Sequence, residues 1–303
     1  MAPAPRATGP LRRWFTGGGA AALAFSLPMI LAFGFFSWWP ILNSLILSFQ
    51  QTNLVDPAVW VGLSNFAAVF ADPLVAKAAM NTLWFTVLSV AVGFPLPILL
   101  AVAIGELRRT RSIASGFAYL PVIIPPVVSV LIFKQFYDPS STGLLNTLLA
   151  GVGLGPVPWL QTAATVMPSI VIQATWAGFG AATIIYIAAL AAVSPELYEA
   201  AELDGASIRS RIWHVTLPQM RSVMLIMLLL QIIGAFQVFT EPFVMTRGGP
   251  ENNTLTILML IYNYTFISGD YGRAAALSLI LAAILALVSL LYLRATRGWS
   301  QGK

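Results

Sequence analysis

Long apolar runs separated by short polar stretches give this chain its outline. After Arg13 an apolar run continues to about Phe49, and others cover residues 80–104, 113–133, 164–193, 217–240 and 271–294. A helix needs about 20 mainly apolar residues to cross the hydrocarbon core of a bilayer, so each run is long enough to span. The pattern predicts an all-α fold, a polytopic bundle of six transmembrane helices. The first run exceeds a signal-peptide core and reads as an uncleaved span, kinked or restarted at Pro28 and Pro40. Between the fourth and fifth runs lies a long polar interruption, residues 194–222.

Composition supports this class. The chain has 303 residues, 58% hydrophobic and 9% charged, which no ordinary soluble domain combines. It contains no cysteine and one histidine, His214, so thiolate metal sites, disulfides and histidine clusters are excluded and no cofactor or metal is expected. The net charge of +5 is split into short basic clusters beside apolar runs, the habit of membrane proteins rather than of nucleic-acid binders. With a cytoplasmic amino terminus, twelve basic residues fall inside: Arg6, Arg12, Arg13, Arg108, Arg109, Arg111, Arg209, Arg211, Arg221, Arg294, Arg297 and Lys303. Only Lys77, Lys134, Arg247 and Arg273 fall outside. That asymmetry predicts both termini, and residues 194–222, on the cytoplasmic side.

The interruption itself reads as helix, turn, helix. Ser194 is placed to cap, Pro195 suits the first helical position and Glu196 complements the helix dipole. Gly205 after Asp204 is placed for a left-handed stop, and Pro218 opens the next apolar run. Spacing alone leaves a solvated amphipathic loop helix as an equal reading. The order Glu199-Ala200-Ala201, three residues, Gly205, nine residues, Val215-Thr216-Leu217-Pro218 resembles the EAA signature of membrane subunits of binding-protein-dependent ABC importers. Val215 stands for the usual isoleucine, and Ser222 where many relatives have a second proline. Further landmarks resemble carbohydrate permeases of the maltose, lactose and glycerol-3-phosphate type: Val61-Gly62-Leu63-Ser64-Asn65-Phe66, Asn81-Thr82-Leu83, Gly143-Leu144-Leu145-Asn146, Trp176 with Gly178, and Thr246-Arg247-Gly248-Gly249-Pro250, in which Arg247 replaces a common glycine.

The resemblance implies a bacterial inner-membrane permease, half of a heterodimeric pore with a second permease, two cytoplasmic ABC ATPase subunits and an extracytoplasmic sugar-binding protein. It assigns ATPase coupling to Glu199, Ala200, Ala201, Asp204, Gly205 and Ala206. No phosphate-loop motif is present, so ATP hydrolysis belongs to partners. The expected organisation is a flexible cytoplasmic tail over 1–19, a transmembrane domain over 20–294 and a cytoplasmic tail over 295–303. Three connections, residues 50–79, 134–163 and 242–270, are expected outside, the first with a short interfacial helix around Phe66 and Phe70.

Polar side chains inside spans are costly unless they face a cavity or a partner helix. Gln173, Thr175, Trp176, Gln231, Gln237, Thr240 and Glu241 are therefore expected on a substrate path, with Gln237 and Glu241 sharing a helical face. Trp176 would stack on a sugar ring and the amides would bond hydroxyls. The alternative is that the glutamines tie helices together and Trp176 is a packing anchor. An amino acid, peptide or phosphate cargo is a second possibility for an importer. An integral membrane enzyme is disfavoured because no catalytic residues are expected: the spans hold no Ser/His or paired-aspartate arrangement.

Overall fold

The computed structural model describes residues 14, 15, 17–107 and 109–300, with side chains as far as Gly298. Of the expected features, tail residues 1–13 and 301–303, with Arg6, Arg12, Arg13 and Lys303, and also Arg108 lie outside the described residues. The regular secondary structure of the described residues is helical apart from a ribbon of two-residue strands, Gln50–Gln51 and Val59–Trp60, paired antiparallel.

Among the described residues five helices are long and apolar enough to cross a membrane: Gly19–Leu47, Pro73–Gly105, Ala163–Ala191, Ile208–Thr246 and Tyr271–Gly298. The expected third span differs from a straight crossing. Its two halves, Arg111–Ile123 and Pro126–Phe136, meet at 94°. Pro125 and Pro126 supply the reason, since neither has an N–H and each pushes its predecessor out of the helical region. Ile124 and Pro125 accordingly adopt extended backbone, with ψ of 126° and 136°. The last helix continues to Ser300, past the Arg294 at which the expected span ended.

Prolines also shape the first and fifth spans. A π turn, Gly34–Trp38, precedes Pro40, and another, Ile212–Thr216, precedes Pro218. Widening the helix just ahead of a proline relieves the clash between its ring and the carbonyl one turn back, so the helix continues instead of breaking. The fifth span does break at Gln237–Phe239 before a short helix, Thr240–Thr246.

The connections are more built than expected. Ser64–Ala71 is the anticipated short helix, with Phe70 exposed and Phe66 against Phe49 at 5.5 Å. Residues 242–270, expected as a surface connection, largely enter the core: Leu255, Ile257, Leu260 and Tyr264 pack with Val69, Ala78, Ala276 and Leu277. Ile257–Ile267 is apolar but too short to cross.

Apolar burial discriminates poorly among helix arrangements in lipid, where acyl chains are as greasy as leucine. Three asparagines from the sequence landmarks provide directional ties. Asn65 Nδ2 donates to the carbonyls of Ser48 and Gln50 at 3.0 and 2.9 Å. Asn81 Nδ2 donates to those of Asn252 and Leu255 at 2.6 and 2.9 Å. Asn146, 1% exposed, accepts from Val157 N–H and Trp159 Nε1, while its amide nitrogen faces the carbonyls of Pro139, Ser140 and Val157 at 3.0 to 3.2 Å.

Asn146→Ala should therefore leave several buried backbone groups unpaired, costing about 3 kcal/mol at roughly 1–3 kcal/mol per orphaned group. Its purified form should melt several degrees below the parent in detergent, whereas Leu148→Ala, at an exposed site, should not. Equal melting temperatures for the two variants would rule out the hub role.

Candidate functional site

Two regions carry chemistry: the polar turn between the fourth and fifth spans, and a cavity among the second, fourth and fifth. In the turn, Pro195–Leu203 forms a helix with Pro195 in its first turn and Glu196 near its positive end. Ser194 has extended backbone but, against expectation, its side chain makes no capping bond. The helix stops at Gly205, φ 71°. Ala206 N–H reaches back to Ala201 O at 2.9 Å and Gly205 N–H to Glu202 O at 3.0 Å, the paired bonds of a Schellman stop. A Cβ on Gly205 would meet nothing within 4 Å, so within this chain only backbone conformation demands glycine there.

The exposed surface of this turn includes Glu199, Ala200, Asp204, Gly205 and Leu203, the last 90% exposed, while Ala201 and Ala206 are half-buried. Its underside is clamped. Tyr198 Oη and Thr216 Oγ1 are 3.1 Å apart, and Arg211 forms an ion pair with Glu202 across the turn. Ser207 Oγ caps the next helix by accepting from Ser210 N–H. These two contacts tie the short helix to the start of the fifth span while its outer face stays exposed. Tyr198, Arg211 and Thr216 escaped sequence reasoning because their pairings cross a turn, where helical spacing carries no signal.

The cavity, about 610 Å³, is lined by Thr175, Gln231, Gln237, Thr240 and Glu241 among mostly apolar and aromatic neighbours such as Phe85, Phe179 and Tyr186. Gln231 Nε2 donates to Ser89 O at 2.6 Å, joining the fifth span to the second. Gly93 permits that approach, since a Cβ there would lie 2.8 Å from Gln231 Nε2. Gln237 and Glu241 both reach the wall, but the chain between them is broken at Gln237–Phe239, so helical register is not what unites them.

Gln173 and Trp176, expected beside these groups, are not brought to the wall. Gln173 is 1% exposed and donates to Ser129 Oγ at 3.0 Å, and the Trp176 ring packs on Phe133 at 5.1 Å. Thr175, Gly178 and Phe179 line the cavity from one face of the fourth span, while Gln173 and Trp176 occupy another that meets the bent pair. A helix apolar all round gives no sequence signal for that division. Ser89 and Gly93 were likewise missed, though Pro95 beside Gly93 hints at an irregular backbone.

A second cavity of about 510 Å³ is lined by Lys134, Gln135, Asp138, Gln161 and Met245. There the backbone N–H and hydroxyl of Ser140 hold the Asp138 carboxyl below its usual range. Among the described residues no cluster of histidine and acidic side chains could hold a metal ion.

Residues 93–300 match the family model of the binding-protein-dependent transport system inner membrane component. The arabinooligosaccharides transport system permease protein AraP of Bacillus subtilis (strain 168) is 32% identical over 277 residues, 91% of this chain and 88% of that protein. The lactose transport system permease protein LacF of Rhizobium radiobacter is 30% identical, over 90% and 93% respectively. Among solved structures, a bacterial ABC transporter involved in import of the acidic polysaccharide alginate contains a chain 27% identical, with a TM-score of 0.82 over 94% of this chain and 98% of that one.

The space around Gly205 sets an expectation for the chain alone. Gly205→Ala should cost only about 1 kcal/mol, from the left-handed backbone, and Gly205→Asn less. Thermal unfolding of the purified variants checks this; a loss several times larger for Gly205→Asn would mean that this chain already packs against the turn.

Proposed function

This chain belongs to the family of inner membrane components of binding-protein-dependent transport systems, and from that membership we propose that it forms half of the path by which an ATP-driven importer takes up a saccharide. It is a multi-pass membrane permease subunit, not an enzyme. In this reading an extracytoplasmic binding protein delivers the cargo, a second permease completes the path and two ATPase subunits supply the energy.

The observation that carries the cargo reading is the wall of the larger cavity. Neutral hydrogen-bonding groups, Thr175, Gln231, Gln237 and Thr240, stand among apolar and aromatic side chains. Hydroxyl-rich ligands need that combination: amides and hydroxyls for their polar edges, apolar surface for their ring faces. The relatives named for arabinooligosaccharides and lactose support a saccharide. Likeness to a transporter of an acidic polysaccharide supports the shared fold, and cargo charge is a property of the cavity wall. Gln173 and Trp176 are assigned to holding the fourth span against the bent pair.

The coupling role is assigned to Glu199, Ala200, Ala201, Asp204, Gly205 and Ala206. Small side chains and a glycine on an exposed turn allow close approach of another protein surface. The clamps from Tyr198 and Glu202 to the fifth span would carry a push on the short helix into the membrane domain as a rigid-body tilt. The domain reading is a transmembrane domain over residues 20–294 between cytoplasmic tails, with both termini cytoplasmic. The distribution of arginine and lysine supports that orientation.

Copurification of the ATPase with this permease, followed by saccharide uptake and ATP hydrolysis in proteoliposomes, tests the mechanism. Gly205→Asp should abolish uptake by placing bulk and charge in the contact, and Glu199→Ala should weaken ATPase association. Gln237→Ala should lower uptake several-fold with the complex intact. Full uptake and tight ATPase association in Gly205→Asp would remove the coupling role.

Orientation is checked separately with single cysteines in this cysteine-free chain. Val55→Cys and Val152→Cys, both at strongly exposed sites, should react with an impermeant thiol reagent in intact cells. Ser207→Cys should react only after permeabilisation, and its labelling from outside would invert the topology.

A further inference from the structure

The larger cavity carries a single charge. Every other lining side chain is neutral, and Glu241 stands on the wall half-buried. Ion pairs among the described residues join Glu202 to Arg211 and Asp270 to Arg273, and Glu241 belongs to neither. The nearest basic residue along the chain, Arg247, is exposed at the far end of the Thr240–Thr246 helix and does not line the cavity. The second cavity, reached by Met245 one turn beyond Glu241, holds Lys134 and Asp138 together, so its opposite charges largely cancel.

A carboxylate on a mostly apolar cavity wall without a cationic partner is costly, and glutamine would fill nearly the same space without that cost. Its presence calls for a function. Apolar walls strengthen its field, because low-dielectric surroundings focus the potential into the enclosed space. A carboxylated or phosphorylated solute entering the cavity would meet repulsion with no cation to offset it. Hydroxyl groups and protonated amines would find an acceptor.

We propose that Glu241 sets the charge selectivity of the path, admitting neutral and amine-bearing saccharides and holding back those carrying carboxylates or phosphates. This rests on the saccharide reading above and narrows its substrate class. Glu241 acts here as a specificity residue of the path, downstream of whatever selection the binding protein makes.

The absence of cysteine allows a test that needs no knowledge of the cargo. Thr175→Cys puts one thiol on the cavity wall, across from the fifth span. The full complex is treated with trimethylammonium-ethyl or sulfonato-ethyl methanethiosulfonate, reagents of similar size and opposite charge, and modification is read from the mass of this chain. The ratio of cationic to anionic rates, divided by the same ratio for a small free thiol, should be about tenfold when Glu241 is present. It should fall to near one in Glu241→Gln and invert in Glu241→Lys. A ratio near one with Glu241 in place, or an unchanged ratio in Glu241→Gln, overturns the proposal. Failure of both reagents to react would mean a cavity closed to solutes and would remove the saccharide path as well. A charge ratio that persists while no saccharide is transported would overturn the saccharide clause and leave a charge-selective path for another cargo.

Discussion

Backbone amides and carbonyls inside a membrane domain have no water to bond with, and this fold depends on how it satisfies them away from regular helix. Each unpaired group would cost several kcal/mol in hydrocarbon, roughly the scale of a whole domain's stability margin after two or three such losses. The chain nevertheless carries irregular segments between its spans whose backbone is buried by protein. Asn65 closes the ribbon after the first span, Asn146 organises the loop before the fourth, and Asn81 receives residues 252–255. Thr82 adds an acceptor for Ile257 N–H at 3.1 Å, and Thr256 donates to Val238 O at the break in the fifth span. An asparagine amide matches the geometry of a peptide group, so it can stand in for a missing strand or helical turn.

That economy of polar contacts explains how the cavity forms. The fifth span breaks at Gln237–Phe239, residues that line the cavity, and Thr256 bonds the Val238 carbonyl released there. Irregular backbone of this kind is tolerated where protein buries it or a cavity borders it. Gln237 and Phe239 thus both interrupt the helix and line the cavity, which couples the stability of the bundle to the shape of that cavity.

The turn outside the spans follows a different rule. Its outer face needs no internal partner because water satisfies it, and its exposed Leu203 beside Ala200 and Gly205 leaves a small apolar patch bounded by acids. Rigidity comes from beneath, from the Tyr198 to Thr216 contact and the Glu202 to Arg211 pair. A firmly held helix with an open face suits transmission of force, since a loose one would absorb the motion locally.

The apolar runs and the Gly205 stop were legible in the sequence because each follows from local chemistry: hydropathy over twenty residues and a glycine required at positive φ. The landmark asparagines were legible as signatures but not as ties, because their partners lie up to 174 residues away. Arg247 shows the limit from the other side, since it adopts φ 50°, a conformation glycine takes most readily, and only the surrounding turn decides that it can. The 94° bend was written in Pro125-Pro126, yet hydropathy reads the two arms as one span because it is blind to direction. Which face of the fourth span looks into the cavity was decided by tertiary structure alone. Thr175, Gln173 and Trp176 are equivalent by composition, and packing against the bent pair on one side and the fifth span on the other separates them.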